Sequence, residues 1–291
     1  MLESRSVQSA TGYRLVKLSN GAHSVHSLAH HETFHPVIGP VAEAEALYVR
    51  QLRLIERLQC HTGEFVLWDV GLGAAANALT ALRAARDIPC SIHLLSFDHT
   101  LEPLAFALQH RDALGYLTGY ETHLDSLLRE HHCDFQDGPQ KVTWDVHVAD
   151  FPALLAQPSA LSLARPHAIM FDAFSPAKNP AMWTQPLFAN LFRLLTPDRP
   201  CSLPTYSRST MLRVTLLLAG FFVGVGHATG EKEETTIAAN RADLISEPLD
   251  HRWLQRAHRS SSAEPMWEPV YRQAPLSPST WDKLLQHEQF R

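Results

Sequence analysis

The stretch EFVLWDVGLGAAANAL, residues 64–79, decides the fold. Its first half, EFVLWDV, is short and almost continuously apolar, as a strand buried on both faces should be. Asp69 stands near the end of that run, and Gly71 and Gly73 follow it. The alanine-rich sequence beyond them favours a helix. Strand, glycine turn and helix in this order open a βαβ unit. Glycines at such a turn let a ligand approach the backbone, and the helix N-terminus behind it favours an electron-rich partner. Taken alone, a GxG turn suits any tight βα connection equally well.

The alternation continues outward. SIHLLSFD (91–98), KVTWDVHVAD (141–150) and HAIMFD (167–172) read as strands. Helical spacing covers LEPLAFALQHRDAL (101–114), a piece near 120–131, a short start at FPALLAQ, TQPLFANLFRLL (184–195) and RSTMLRVTLLLAG (208–220). PCSLPTY (200–206) is a weaker strand because Pro204 interrupts it. FFVGVGHATG and EETTIAAN form a last strand pair with no helix between them. The expected fold is α/β and Rossmann-like: a mostly parallel seven-stranded sheet ending in an antiparallel hairpin, with helices on both faces. Residues 41–59 read as one helix and 1–40 as a β-hairpin segment on the substrate side, with Asn20-Gly21 at its turn. The main domain is expected over 41–245. Residues 246–291, rich in proline and scattered tryptophan, read as an extension packed on it.

Bulk properties narrow the function. The chain has 291 residues, 45% of them hydrophobic and 19% charged, with a formal net charge of −5. Any contact with RNA is therefore expected to be local. Cys60, Cys90, Cys133 and Cys201 form no CxxC, which points to reduced thiols and a cytoplasmic protein. The N-terminus has no apolar h-region, and no run of about 18 apolar residues marks a membrane span. Eighteen histidines are present, five of them (His23, His26, His30, His31, His35) in one N-terminal stretch. Neither these nor His131, His132 and Cys133 have a zinc-like spacing, so no metal is expected.

Two acids accompany the glycine turn. Asp98 ends the second strand of the unit, where a carboxylate can accept from both ribose hydroxyls of a nucleoside cofactor. Asp150 ends the third, within reach of an adenine amino group. Each also suits a solvated helix cap. The turn lacks a full GxGxxG, with Ala76 at the third position, and no GxxxxGK[ST] occurs. The pattern therefore suits S-adenosylmethionine, which carries an ammonium and a sulfonium and has no phosphate to cradle. Downstream, HAIMF runs into DAFSPAKNP (172–180), a strand delivering Asp172 into a loop stiffened by Pro176 and Pro180. On residue chemistry alone this is a site for an amine or carbonyl substrate.

FDAFSPAKNPAMWT (171–184) resembles the signature D-G-F-A-P-x-K-N-P-x-M-W of the methyltransferase module that completes 5-methylaminomethyl-2-thiouridine at the tRNA wobble position. The matching residues are Asp172, Phe174, Pro176, Lys178, Asn179, Pro180, Met182 and Trp183. The cofactor turn is similar through Asp69, Gly71, Gly73 and Asn77. Glu45, Tyr48 and Val49 resemble an upstream E-x-x-Y-V. The resemblance spans roughly residues 35–240. It implies a class I S-adenosylmethionine-dependent methyltransferase acting on the aminomethyl group of uridine in tRNA. It further implies a stand-alone unit beside a separate flavin-dependent oxidoreductase of the same pathway. Cofactor contacts are expected from Glu45, Asp69, Gly71, Gly73, Asn77, Asp98 and Asp150.

Asp172 is the expected catalytic residue, orienting the amine lone pair and helping to carry off its proton. Phe174 offers a face for a flipped base, Lys178 suits a phosphate, and loop carbonyls held by Pro176 and Pro180 add acceptors. Asn179, Tyr206 and Lys232 complete the substrate set, and Trp183 is expected to pack under the loop. Arg193, Arg199, Arg208 and Arg213 are further candidates for phosphate. The sequence departs from the family at Ala75 and Ala173, both glycines there, and at Glu231, Glu233 and Glu234, where the family is more basic. Two other readings stand beside this one: a methyltransferase of the same fold using another amine or a small molecule, and a non-catalytic S-adenosylmethionine-binding module.

Overall fold

The computed structural model describes residues 12–230 and 233–291. Three short strands come first, β1 (Tyr13–Lys17), β2 (His23–Ser27) and β3 (Glu32–Thr33), paired antiparallel as a small sheet. The main unit then runs α1 (Pro40–Ala44), α2 (Leu54–Cys60), β4 (Glu64–Val70), α3 (Ala76–Ala84), β5 (Ser91–Asp98), α4 (Glu102–Gln109), α5 (Arg111–Leu114) and α6 (Glu121–Glu130). It continues with β6 (His132–Asp137), β7 (Gln140–Val148), α7 (Phe151–Ala156), β8 (Ala168–Phe171), α8 (Gln185–Leu194), β9 (Ser202–Thr205) and α9 (Thr210–Leu218). The antiparallel strands β10 (Phe222–Gly226) and β11 (Thr235–Ala239) follow, then α10 (His251–His258) and α11 (Pro278–Leu285).

The large sheet has the order β10-β11-β9-β8-β4-β5-β7-β6. β9, β8, β4, β5 and β7 run parallel, and β11 is antiparallel to both β9 and β10. β4 lies at the centre, and its side chains divide by the period of two. Phe65 and Leu67 join the core under the helices α1 to α6. Val66, Trp68 and Val70 join the core under α7 to α11. That two-sided burial explains why the strand reads as an unbroken apolar run.

Three expectations are corrected. The sheet has eight strands rather than seven, because β6 adds an antiparallel edge beside β7. Its sequence HCDFQD is polar since only one face is covered, while Cys133 points into the core. Outside, Asp145 bridges His93 and His132 at 2.7 Å each, so these histidines belong to an ion-paired surface ladder. The helix expected over 41–59 is broken into α1, a wide π-turn over Glu45–Arg50, and α2, with Arg53 in the left-handed region. Finally, residues 12–40 hold a three-stranded sheet rather than a hairpin alone. Pro204 sits inside β9 without penalty on the β8 side, because that pairing is confined to Ala168 and Ser202.

The C-terminal residues close the sheet's outer edge. Glu247–Leu249 lie antiparallel to β10, with Val225 donating to the Glu247 carbonyl and Leu249 donating to the Val223 carbonyl. Gly224 permits this approach, because a Cβ there would stand 2.5 Å from the Glu247 oxygen. Gln289 then uses its amide as one more strand residue: Oε1 accepts from Val223 N at 2.8 Å, and Nε2 donates to the Val223 and Leu249 carbonyls. An edge with unmet backbone groups invites association. Gln289→Ala is expected to cost about 1–3 kcal/mol in chemical denaturation by leaving the buried Val223 N–H unmet, with cofactor affinity unchanged.

Candidate active site

Five consecutive strands of the sheet end at one cleft of about 670 Å³. Tyr206 follows β9, Asp172 follows β8, Gly71 follows β4, Asp98 ends β5 and Asp150 follows β7. Adjacent parallel strands bring together residues far apart in sequence, at the carboxyl edge where open α/β sheets bind ligands. The small N-terminal sheet forms the opposite wall, through His30, Glu32, Phe34 and His35.

The glycine turn is shaped by its neighbours. Gly71 has φ 96°, and a Cβ there would lie 2.7 Å from the Asp172 carbonyl oxygen. Gly73 has φ 51°, and a Cβ there would lie 3.1 Å from the Phe34 ring. Gly73 N donates to Asp98 Oδ2 at 2.9 Å, and His99 N donates to Asp98 Oδ1 at 2.8 Å, so the turn and the β5 end brace each other. Ala75, a glycine in the resembled family, sits in the left-handed region at φ 61°. The strain, about 1–2 kcal/mol, is partly offset by burying its methyl group in the core. Ala173, the other departure, is not among the residues of positive φ, so alanine fits there without strain.

Asp172 is anchored from three sides. Its N–H donates to the Val70 carbonyl at 2.9 Å. Asn77 Nδ2 donates to its Oδ2 at 2.8 Å, and His35 Nε2 stands 3.5 Å from the same oxygen. His35 Nδ1 is 3.9 Å from Glu43 Oε1, so the imidazole lies between two carboxylates, with side-chain exposures of 8% for both His35 and Glu43. Phe174 stacks on the His30 ring at 4.3 Å between centroids, and Phe34 meets it edge-on. Burial lowers the His30 pKa. The bond to Asp98 raises that of His99. Burial lifts the hydroxyls of Tyr206 and Tyr48 well above the usual tyrosine range.

The cleft wall contains Gly71, Gly73, Asn77, Asp98, Asp150, Asp172, Phe174, Asn179 and Tyr206 from the sequence-derived set. Asp150 caps α7 through a bond from Ala153 N while lining the cleft. Other residues stand elsewhere. Asp69 is fully buried beneath the turn, held by the Ser96 hydroxyl at 2.8 Å, and does not line the cleft. Glu45 sits at the start of the π-turn, and Glu43, one helical residue pair earlier, faces the cleft in its place. Pro176 shapes the loop from outside the wall, and Lys178 is exposed at the rim. Lys232 and Glu231 lie outside the described residues.

The loop carbonyls of Ala173 and Phe174 are engaged by the Tyr206 hydroxyl and the Trp183 indole, so they brace the loop where they had been expected to face the amine. Trp183 is fully buried under the loop, as expected. Arg213 is buried and committed to Thr236, the Thr235 carbonyl and Glu234, which removes it from the phosphate candidates and neutralises one of the hairpin glutamates. Among the described residues no group of three or more potential ligands is arranged to hold a metal ion. Sequence reasoning missed His30, Phe34, His35 and Glu43 as site residues. The crowding of histidines was a signal, but nothing local indicates that the N-terminal sheet folds over the cleft.

The cleft suits S-adenosylmethionine on its own chemistry. The buried Asn77 Oδ1 has no hydrogen-bond partner and belongs to a cleft-lining side chain, which suits a donated ammonium hydrogen. Gly71 and Gly73 line the cleft beside it, and the Asp98 and Asp150 carboxylates add acceptors to the same wall. Beneath them, burial raises the Asp69 carboxyl to about 7, with the Ser96 bond opposing the shift. That displacement from the ordinary carboxylate value corresponds to on the order of 4 kcal/mol. The native state holds this proton more tightly than the unfolded chain does, so the contribution is complete below pH 4 and lost as pH rises through about 7. Asp69→Asn, neutral throughout, is expected to gain stability relative to wild type between pH 4 and pH 8, by a few kcal/mol in denaturation at the two pH values (about 1.4 kcal/mol per pKa unit); a pH-independent difference would contradict this.

The profile of a family described as S-adenosyl-L-methionine-dependent methyltransferase matches residues 119–241. The tRNA 5-methylaminomethyl-2-thiouridine biosynthesis bifunctional protein MnmC of Aeromonas hydrophila is 28% identical over 234 residues, covering 74% of this chain and 34% of that protein. Its counterpart from Burkholderia vietnamiensis is 27% identical over 246 residues, covering 81% and 35%. The chain thus spans about a third of the length of these curated relatives. The crystal structure of MnmC2 from Aquifex aeolicus superposes with a TM-score of 0.69 at 21% identity, covering 96% of this chain and 86% of that one, which supports the fold. The chain is an S-adenosylmethionine-dependent methyltransferase, similar to MnmC proteins over about three quarters of its length.

Proposed function

We propose that this methyltransferase acts on the exocyclic amine of 5-aminomethyluridine, with or without 2-thiolation, at the tRNA wobble position. The observation that carries the reading is Asp172: a carboxylate fixed by Asn77 and His35 beside the glycine turn, with the Phe174 ring next to it. A carboxylate there holds an amine by accepting its N–H bonds and aims its lone pair along the cleft. The aromatic group of Phe174, Phe34 and His30 gives a flipped base a flat surface, and the imidazole already stacked on Phe174 occupies the kind of space a pyrimidine would need. The names of the curated relatives, tRNA 5-methylaminomethyl-2-thiouridine biosynthesis proteins, support the same substrate.

S-adenosylmethionine, when bound, supplies an electrophilic methyl group on a sulfonium. Asn77, Gly71, Gly73, Asp98 and Asp150 would hold it. The chain's own contribution is positioning and exclusion of water: Asp172 orients the amine, the N-terminal sheet covers the cleft, and Tyr206 and Trp183 lock the loop that carries Asp172. Lys178 at the rim is suited to a phosphate, and Asn179 and Tyr206 to the base pocket. Among the described residues no helix is long and apolar enough to cross a membrane. The partner in this reading, besides tRNA, is a flavin-dependent oxidoreductase of the same pathway, which would release the primary amine that this domain consumes.

Two observations favour a smaller amine as substrate. The formal net charge is −5, and Arg213 is withdrawn from the surface. Transfer of labelled methyl from S-adenosylmethionine to tRNA bearing 5-aminomethyluridine, set against the free nucleoside and simple alkylamines, separates the two. The expected result is transfer to tRNA, reduced at least about 100-fold by Asp172→Asn with cofactor binding retained. Transfer to free amines alone would replace tRNA with a small molecule.

A further inference from the structure

We propose that His35 is the base that removes the proton from the substrate ammonium before methyl transfer, with Asp172 holding the amine and Glu43 stabilising the imidazolium formed. The inference rests on the amine substrate proposed above.

The geometry around His35 is unusual for a packing residue. Its side chain is only 8% exposed, yet it lines the cleft. Its Nε2 stands 3.5 Å from Asp172 Oδ2 and its Nδ1 3.9 Å from Glu43 Oε1. Its backbone is left-handed, at φ 48°, a conformation that costs a histidine energy and persists only where the surroundings enforce it. Pro36 and the pairing of β3 with β2 fix that backbone from either side.

The chemistry requires a base. An alkylamine is mainly protonated near neutral pH, and an ammonium has no lone pair for displacement. Asp172 is well placed to hold the ammonium but is a weak proton acceptor, since an imidazole in water binds a proton roughly 400-fold more tightly than a carboxylate. Among the described residues, the carboxylates of Glu43 on α1, Asp172 after β8 and Asp69 beneath the turn on β4 favour proton acceptance by His35, and the hydroxyls of Tyr48 and Tyr206 stand around the same carboxylates. Glu32 on β3 also lines the cleft, its carboxylate accepting from Ser175 N.

The step balances. The R–NH3+ group gives one proton to His35 Nε2 and becomes R–NH2. Its nitrogen then bonds the methyl carbon as the carbon–sulfur bond breaks, with the electron pair passing to sulfur. The product leaves as a secondary ammonium, and the imidazolium returns its proton to solvent through the cleft.

Two readouts on the full chain test this. The first is the pH dependence of kcat for methyl transfer to tRNA bearing 5-aminomethyluridine, for wild type and His35→Gln. The second is the 15N spectrum of the histidine rings, assigned by difference against His35→Gln, in the dead-end complex with S-adenosylhomocysteine and that tRNA. Wild type is expected to form an imidazolium at His35 in the complex. The variant should bind cofactor normally, lose about 100-fold in kcat at pH 7, recover as pH rises toward the free amine pKa, and regain activity in His35→Ala with added imidazole. A neutral His35 in the complex, or a variant whose kcat and pH profile match wild type, would overturn the assignment while leaving the substrate reading intact. A wild-type enzyme inactive on this tRNA would overturn both.

Discussion

The site depends on one close contact between backbones. Where β4 and β8 end side by side, Gly71 approaches the Asp172 carbonyl so closely that a Cβ would stand 2.7 Å from the oxygen. Asp172 N in turn donates to the Val70 carbonyl. This contact places the Asp172 carboxylate against the glycine turn. The carboxylate and the turn therefore share one wall, and neither can shift without the other. A larger residue at position 71 would meet both a positive φ and an immovable peptide. The indole of Trp183 and the hydroxyl of Tyr206 then hold the next two carbonyls, so the loop leaves β8 along one path.

Around that wall the charge is negative and the walls are largely apolar. Asp98, Asp150, Asp172 and Glu43 all face the cleft, and Asp69 lies buried behind it. Two cations, the ammonium and sulfonium of S-adenosylmethionine, are what such a cleft favours, and the amine substrate proposed above would add a third. The overall acidity of the chain is thus partly concentrated where its ligands are positive. Elsewhere the charge is less bare than the sequence suggests, since Glu234 is paired with Arg213.

Much of this was legible in the sequence because it is local. A strand buried on both faces, a turn needing positive φ, and acids ending successive strands are each written in a few adjacent residues. Their convergence at one edge follows from parallel pairing. What escaped is non-local or depends on small shifts in register. β6 was missed because an edge strand covered on one face carries little hydrophobic signal, although Asp137-Gly138 marks its hairpin. Glu45 was chosen from its resemblance to an E-x-x-Y-V motif, whereas Glu43, two residues earlier in α1, is the glutamate on the cleft wall. His35 and Phe34 could not be placed, since nothing near them in sequence indicates that the N-terminal sheet closes over strand ends more than thirty residues away. Asp69 has the right spacing for the cofactor, but it stands one residue before the turn, where the strand points it inward beneath the cleft.

The most direct test of this account is the crystal structure of the complex with S-adenosylhomocysteine. The expected result places the ribose hydroxyls on Asp98, the amino group on Asn77 Oδ1, and the sulfur beside Asp172. A ligand bound away from Asp98 and Asn77, or one whose sulfur lies outside the reach of an amine held by Asp172, would contradict the shared wall on which the account rests.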